Sequence, residues 1–337
     1  MSTNEFWKGR RVFVTNPASF RGAWLCLHLL NRGAQVFGFG GNPKTVPSLF
    51  EIESLALKIG FTFGDLRDHG ALREALNFSE AEVVIHTGAD FSLKESRDKS
   101  LECISEEVMG TATLLECLRE TATVRALVVL SSDRVYARQG AVALTEESPV
   151  AAGEISPTSK LCAEMVALSY REQFFSPEKF NKHKVALAVA RVGSAIGGGD
   201  FAEDSLVAQA AKAFSSGVKF EVKKPQSVRS WIHIDDQVAG VLCLAEALVV
   251  KGPKVDGVWN VGAGETASVG EFAKLFAHSW GDSLLMPMDS GTSGTSVHPV
   301  LSSEKIGREL GWKPQLTLSS GVKLLVEWYK DFYPKRR

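Results

Sequence analysis

The sequence predicts an α/β fold, a Rossmann-like doubly wound parallel sheet with a smaller, discontinuous C-terminal lobe. The first observation is that short apolar, β-branched runs alternate with helical stretches through the first 190 residues. Continuous apolar strands separated by helices are typical of a parallel sheet that is covered on both faces. The second observation is that this alternation becomes irregular beyond Arg191, where Gly197-Gly198-Gly199 interrupts it. A lobe of different architecture is therefore expected there.

The elements of the first lobe follow one another as strand, loop and helix. Arg11–Thr15 is a β-branched run, turn-forming residues follow it, and residues 24–30 show helical apolar spacing up to a stop at Asn31-Arg32-Gly33. A further strand at 258–262 is predicted to return to this lobe. The same patterns predict strands at 34–39, 61–63, 83–86, 126–130 and 186–190, and helices at 108–118 and 161–174.

Composition excludes several classes of function. The chain has 337 residues, 45% hydrophobic and 23% charged, with a formal net charge of −1, which is typical of a globular protein. Near-neutral charge argues against nucleic acid as a partner, because phosphate binding needs a clustered basic excess. The five cysteines show no C-x-x-C spacing, so no metal site is predicted. No apolar run approaches the roughly 20 residues that cross a bilayer, so we expect no membrane partner and a cytoplasmic location.

Specific motifs are spread over nearly the whole chain. The most distinctive is Gly197-Gly198-Gly199-Asp200-Phe201-Ala202-Glu203-Asp204. Through this and the other segments the chain resembles the extended short-chain dehydrogenases/reductases and, among them, the CDP-glucose 4,6-dehydratase family. The other segments are 6–15, 47–51, 64–68, 108–111, 132–136, 160–164, 311–314 and 326–329.

The resemblance implies a division of labour between two lobes. Residues 1–190, with 230–262 returning to them, would form the nucleotide-binding domain that holds NAD. Residues 191–229 and 263–337 would form the substrate-binding lobe, with a CDP-hexose between the lobes. In this family NAD takes a hydride from sugar C4, water leaves across C5–C6, and the hydride returns to C6. That chemistry needs a base, an acid and a retained cofactor.

The resemblance also implies a homodimer, because family members pair through two long helices. The candidate helices here are 106–120 and 158–175, and both carry apolar residues at helical spacing. The alternative is that both apolar faces pack against the chain's own sheet and leave nothing for a partner. The apolar positions are Val108, Thr111, Leu114, Leu115, Leu118, Leu161, Met165 and Leu168.

The cofactor loop departs from the family pattern T-G-x-x-G-x-x-G. Asn16 replaces the first glycine and can adopt a positive φ at modest cost. Ser19 replaces the second, so its side chain intrudes where backbone approaches the pyrophosphate. Gly22 survives, either for phosphate approach or equally for tight helix–strand packing. These departures predict weak or absent NAD binding. By resemblance, the cofactor residues are Thr15, Asn16, Ser19, Phe20, Gly22, Asn42 (in place of a ribose-binding acid), Asp65, Leu66 and Lys160.

The catalytic set is also altered. The family pairs a tyrosine with a lysine four residues later, and here Lys160 is preceded by Ser156, whose hydroxyl is a far weaker acid than a phenol. Glu107 and Ser194 stand where the family has asparagines. By resemblance, the catalytic residues are Ser131, Asp133, Ser156 and Lys160, with Arg134 in place of a lysine. The substrate residues are Ser194, Gly199, Asp200, Arg229 and His233, with Arg229 as diphosphate ligand.

Three functions remain open from the sequence. The first is NAD-dependent dehydration of a CDP-hexose by Ser131, Asp133 and Lys160. The second is a non-catalytic relative that binds a nucleotide, a sugar or a homologous subunit. The third is an enzyme whose pocket serves chemistry without hydride transfer.

Overall fold

Seven parallel strands form the central sheet of the computed structural model, which describes residues 3–89, 91–137, 143–281 and 299–333. The sheet strands are β1 Arg11–Thr15, β2 Gln35–Gly40, β3 Gly60–Phe63, β4 Val83–His86, β5 Ala126–Ser132, β6 Ala186–Val192 and β10 Gly257–Val261. Their order in the sheet is β3-β2-β1-β4-β5-β6-β10, and every neighbouring pair is parallel. The predicted doubly wound fold is thus confirmed.

Helices cover both faces of this sheet. The helices are α1 Thr3–Trp7, α2 Phe20–Asn31, α3 Leu49–Ile52, α4 Leu55–Lys58, α5 His69–Ser79, α6 Leu93–Asp98, α7 Ser100–Ile104, α8 Gly110–Arg119, α9 Ile155–Gln173, α10 Phe180–His183, α11 Leu206–Ser215, α12 Ile234–Lys251, α13 Val269–Trp280, α14 Glu304–Leu310 and α15 Leu318–Phe332. One face of the sheet packs against α2 and α12, and the other against α5, α8 and α9, which gives two separate hydrophobic cores.

A third core belongs to the C-terminal part of the chain. It collects apolar residues from α11, α13 and α15, and Trp231 stacks on Phe272 with ring centroids 4.6 Å apart. Ile306 and Trp312, by contrast, pack into the core beneath the central sheet, so α14 lies against the larger lobe. The short strands here are β7 Ser194–Ile196, β8 Val228–Arg229, β9 Trp231–His233 and β11 Ala267–Ser268. The division of the chain into 1–190 with 230–262, and the remainder, stays a proposal.

A π-helical turn, Ser105–Met109, joins α7 to α8 in one continuous helix. π-helices are rare, appear mostly as single turns inside α-helices, and are frequent at functional sites. Buried Glu107 lies on this turn. Within the described ranges, no helix is both long and apolar enough to span a membrane.

Strand order reverses between β1 and β4, since β2 and β3 lie to one side of β1 and β5 and β6 to the other. Ligands of open α/β sheets bind in the crevice at the carboxyl ends of the strands at such a point. The loops after β1, β4 and β5 carry Asn16, Gly88 and Asp133, so two of the predicted site residues, Asn16 and Asp133, lie at this crevice.

Candidate functional site

Two connected clefts open at the carboxyl edge of the sheet. The first cleft, about 570 Å³, lies between the start of α2, the 44–49 loop, residues 87–89 and 91–99, and the 199–204 loop. The second cleft, about 290 Å³, extends toward Asp133 and Arg229. Residues that line both are Arg21, Ser92, Ala195, Asp200, Ala202 and Asp204.

Asn16 adopts the backbone conformation of the glycine it replaces. Its φ is 45°, in the left-handed region, which asparagine tolerates better than most residues. Its amide N–H donates to the Phe39 carbonyl at 2.8 Å, and its side-chain Nδ2 donates to the Gly88 carbonyl at 2.6 Å. The Asn16 side chain therefore ties together the loops that follow β1 and β4.

Ser19 caps the helix that the loop leads into. Its Oγ accepts from the Gly22 N–H at 3.0 Å and donates to the Asn16 carbonyl at 2.8 Å. A helix N-terminus leaves four N–H groups without helical partners, which is why it binds phosphates. One of those donors is satisfied here by the chain itself.

Gly22 is required by packing. A Cβ at this position would overlap the Asn16 carbonyl oxygen and lie 2.9 Å from Pro17 Cα, and both are backbone atoms that cannot yield cheaply. Tight helix–strand packing, one of the two roles open from the sequence, is therefore present, whereas the phosphate role stays a prediction.

We expect Gly22→Ala to lower the free energy of unfolding by about 1–3 kcal/mol or more, as overpacking does. Gly41→Ala is the matched control, because a Cβ there would meet no atom within 4 Å, and it should change stability by less than about 0.5 kcal/mol. Denaturant titration of both variants measures this. Equal stabilities would contradict the packing role.

His86, at the end of β4, has a hydrogen-bond partner at each of its two ring nitrogens. The Thr87 N–H donates to Thr15 Oγ1, whose hydroxyl faces His86 Nδ1 at 2.9 Å. Thr111 Oγ1 donates to the Glu107 carbonyl, so its contact with His86 Nε2 at 2.9 Å needs the ring to donate. The network assigns a neutral ring with the proton on Nε2. Burial, and secondarily the Lys160 charge, lower the pKa of His86 to about 3.

Three other cofactor candidates, Asn42, Asp65 and Leu66, lie away from the clefts. Asn42 is exposed after β2 and does not line either cleft. Asp65 pairs with Arg67, with Oδ1 2.9 Å from Nε, and this hydrogen bond lowers the pKa of the Asp65 carboxyl. Leu66 is buried in the core. Ser19, Phe20 and Lys160 do line the first cleft.

Lys160 is held by a buried carboxylate. Its Nζ lies 3.1 Å from both oxygens of Glu107 and 3.5 Å from the Thr87 carbonyl. Glu107 Oε2 also accepts from the Ala89 N–H at 2.7 Å. Ser156 lies one helical turn before Lys160 in α9 but lines neither cleft. Among the predicted catalytic residues, the structure therefore does not bring Ser156 to the cleft surface.

Asp133 lies buried among three guanidinium groups. Burial raises the pKa of Asp133, and the charges of Arg134, Arg21 and Arg229 and a hydrogen bond from Ser132 oppose that rise. All three arginines line the second cleft. Arg134 Nη1 lies 3.8 Å from Glu154 Oε2, and Arg21 Nε donates to Gln237 Oε1 at 3.0 Å.

The remaining predicted residues divide between the clefts and the interior. Ser194 lines the second cleft, Gly199 (φ 83°) the first, and Asp200 both. The Asp200 carboxylate accepts from the Ala202 N–H and the Ser205 hydroxyl. His233 instead caps α12, its Nδ1 accepting from the Asp235 N–H at 3.3 Å, and lines neither cleft. The Ser131 hydroxyl is buried at the end of β5 without a hydrogen-bond partner in the described part of the chain.

The sequence did not single out Arg21 as a site residue. It follows Phe20 inside the altered loop, where a long basic side chain beside a helix N-terminus is a usable signal. No group of three or more His, Cys, Asp or Glu side chains within the described ranges is arranged to hold a metal ion.

Comparison with known proteins gives relatives along the whole chain. The CDP-glucose 4,6-dehydratase of Salmonella typhimurium is 34% identical over 334 residues, which cover 98% of this chain and 93% of that protein. The UDP-glucose 4-epimerase 2 of Arabidopsis thaliana is 26% identical and covers 95% of this chain and 95% of that protein.

Solved structures share the fold. The dTDP-glucose 4,6-dehydratase of Bacillus anthracis, in complex with NAD, matches with a TM-score of 0.79 and 22% identity, covering 96% of this chain and 97% of that chain. The UDP-glucose 4-epimerase of Thermotoga maritima, with UDP-glucose, matches with a TM-score of 0.80 and 21% identity, covering 95% and 99%. The family pattern itself matches residues 12–262. The resemblance expected from the motifs is thus confirmed, and the chain belongs to the NAD dependent epimerase/dehydratase family.

Proposed function

We propose that the protein binds a nucleoside diphosphate sugar of the CDP-hexose class in the two clefts and performs no NAD-dependent hydride transfer on it. The observation that carries this proposal is the convergence of Arg21, Arg134 and Arg229 on the second cleft around one buried aspartate. Guanidinium groups match phosphate oxygens in a bidentate geometry. The three arginines give this cleft three fork-shaped donors for a diphosphate, beside the carboxylates of Asp133, Asp200 and Asp204. The name of the Salmonella relative supports the cytidine nucleotide and the hexose.

The proposed absence of hydride transfer rests on the residues around Lys160. The position four residues before Lys160 holds Ser156, and Lys160 is neutralised by Glu107. A base for the 4-hydroxyl of a sugar needs a pKa near the working pH. A serine hydroxyl does not reach it, and the Lys160 ammonium is already in contact with a carboxylate.

A second candidate is the dehydration of a CDP-hexose, which one observation favours. Dehydration needs a proton donor for the departing hydroxyl, and burial raises the pKa of Asp133, which favours its protonated form. Incubation with CDP-glucose and NAD distinguishes the two candidates. A 4-keto product, read by its absorbance in alkali, would favour dehydration and overturn our first proposal.

We expect CDP-glucose to bind the wild-type protein in a calorimetric titration, and Arg229→Gln and Arg134→Gln each to weaken that binding about tenfold to hundredfold. Lost hydrogen bonds to a charged group are worth about 1.5–3 kcal/mol. Arg308→Gln is the control, because the Arg308 side chain is 71% exposed and lies outside both clefts. Absence of CDP-glucose binding by the wild type, or equal binding by all four proteins, would refute the proposed ligand site.

A homodimer through the helical surface is the second part of the proposal, with a different set of residues from that expected. Thr111, Leu114, Leu115 and Leu118 are buried in the chain's own fold, so they are not available to a partner. Met165 on α9, from the predicted set, is exposed. The exposed apolar residues on α7, the π turn and α9 are Leu101, Ile104, Met109 and Met165.

Met165→Glu should shift the protein from dimer to monomer in sedimentation at micromolar concentration, because a buried unpaired charge opposes association. Val250→Glu, at the end of α12, is the control and should leave the dimer intact, since Val250 is equally exposed on another helix. A wild type that sediments only as monomer would exclude the dimer.

A further inference from the structure

Glu107 is a buried carboxylate in a site built to receive it. Its side chain is 4% exposed, and a Cβ on Gly88 would overlap its oxygen Oε1. Gly88 itself has a φ of 72°. The π turn, the glycine and the Ala89 N–H thus combine to bring one carboxylate to the end of β4. Burying an ion costs several kcal/mol unless partners compensate, so this arrangement needs the Lys160 ammonium.

The same contact occupies the Lys160 ammonium. It lies at the carboxyl end of β4, beside the Thr87 carbonyl, and lines the first cleft. Both Glu107 oxygens lie at 3.1 Å from Nζ. In a Rossmann-like fold, dinucleotides bind at the carboxyl ends of the strands. A dinucleotide hydroxyl that sought this ammonium would have to compete with a carboxylate already in hydrogen-bond contact.

A second dinucleotide contact is filled at the start of α2. The fold offers the helix N-terminus to a pyrophosphate and needs glycine where backbone and pyrophosphate approach most closely. Here Ser19 Oγ accepts from the Gly22 N–H, and Pro17 next to Asn16 has no N–H to offer. The Gly22 N–H is thus not free for the diphosphate of NAD, and a side chain stands where the family pattern has its second glycine.

We propose that the chain itself closes its dinucleotide site, with the Glu107 carboxylate bound to Lys160 and the Ser19 hydroxyl bound to the α2 N-terminus in place of NAD. Lys160 and the Gly22 N–H then have hydrogen-bond partners without a bound cofactor. This inference rests on the proposed function in one respect, which is that a nucleotide sugar, and not NAD, is the ligand of the two clefts.

Calorimetric titration with NAD tests the inference on the full chain. We expect the wild type to show no saturation at micromolar NAD, and the double variant Glu107→Asn/Ser19→Gly to bind NAD at least about tenfold more tightly, since each variant frees one donor. Glu107→Asn alone should give part of the gain. Glu106→Gln is the matched control, because Glu106 lies on the same π turn but outside the ion pair of Lys160, and it should leave NAD binding unchanged.

Two outcomes would overturn the inference. Tight NAD binding by the wild type, at low-micromolar concentration, does so without any variant. A folded double variant that gains no NAD affinity does so as well, and thermal melting shows whether it is folded. CDP-glucose titration of Glu107→Asn separates the two proposals. Binding of CDP-glucose without any gain in NAD affinity refutes the closed site alone, whereas a gain in NAD affinity without CDP-glucose binding refutes the proposed function alone.

Discussion

Glu164→Ala is expected to lower the free energy of unfolding by about 3–5 kcal/mol, the usual cost of leaving a buried charge without its partner. Glu164 and Arg191 are both nearly inaccessible to solvent, and Arg191 Nε lies 3.1 and 3.2 Å from the two Glu164 oxygens. Arg191 also lies over the Tyr136 ring, 4.6 Å from its centroid. The guanidinium therefore has no route to water when the carboxylate is removed.

Two further variants test this reading of Glu164. The double variant Glu164→Leu/Arg191→Met removes both charges and should recover much of the loss, because an apolar pair of similar volume often replaces a buried ion pair without cost. Glu120→Ala breaks an ion pair with Arg73 in which both side chains are about half exposed, and it should cost less than about 1 kcal/mol. Denaturant titration measures all three. A loss for Glu164→Ala no larger than that for Glu120→Ala would contradict the prediction.

The second large effect concerns His86 and acid. Because the folded-state pKa of His86 lies near 3 and the unfolded value is 6.5, unfolding takes up a proton at any pH between them. Its contribution to stability is complete above pH 6.5 and is lost as pH falls toward 3. Between pH 7 and pH 5 the loss should be about 2 kcal/mol.

Protonation of another buried group in this pH range has the opposite effect on the stability of the folded state. Burial raises the pKa of Asp256 to about 6, so protonation of Asp256 stabilises the folded state as pH falls through 6. The wild-type curve therefore sums opposing contributions. The measurement is the difference in unfolding free energy between wild type and His86→Asn, taken at pH 7 and at pH 5. That difference should shrink by about 2 kcal/mol on acidification, and a constant difference would show that His86 is not held neutral.

Much of the fold could be predicted because apolar alternation is a local signal. The strands predicted at 83–86 and 126–130 match β4 and the body of β5. The start of α9 was placed too late, at 161 from apolar spacing and at 158 from the family's helix pair, instead of at Ile155, because Pro157 and the serines around it carry no apolar pattern. Proline is tolerated in the first turn of a helix, where its missing N–H has no helical partner. A helix whose first turn is polar therefore begins earlier than its apolar periodicity indicates.

The site was predicted less completely, because its contacts join distant segments. The positive φ of Asn16 follows from one residue and its family position, and the structure has it. The ion pair of Glu107 with Lys160 spans 53 residues and depends on how the helix around Glu107 is wound. The sequence therefore showed Glu107 in place of a family asparagine but did not reveal the π turn or the partner of the carboxylate. The role of each site residue stays a prediction.

The π turn between α7 and α8 also has a consequence for related sequences. A π turn holds one residue more than the α turn it replaces. Loss of a single residue from 105–109 should therefore convert it into an α turn and leave α7 and α8 in their present orientations. Cys103 of α7 would keep its contact with Ser159 of α9, whereas the backbone that carries Glu107 would be rebuilt. A one-residue gap at this point in a related sequence therefore marks the loss of the π turn and of the buried carboxylate's position, while the contacts on either side are kept.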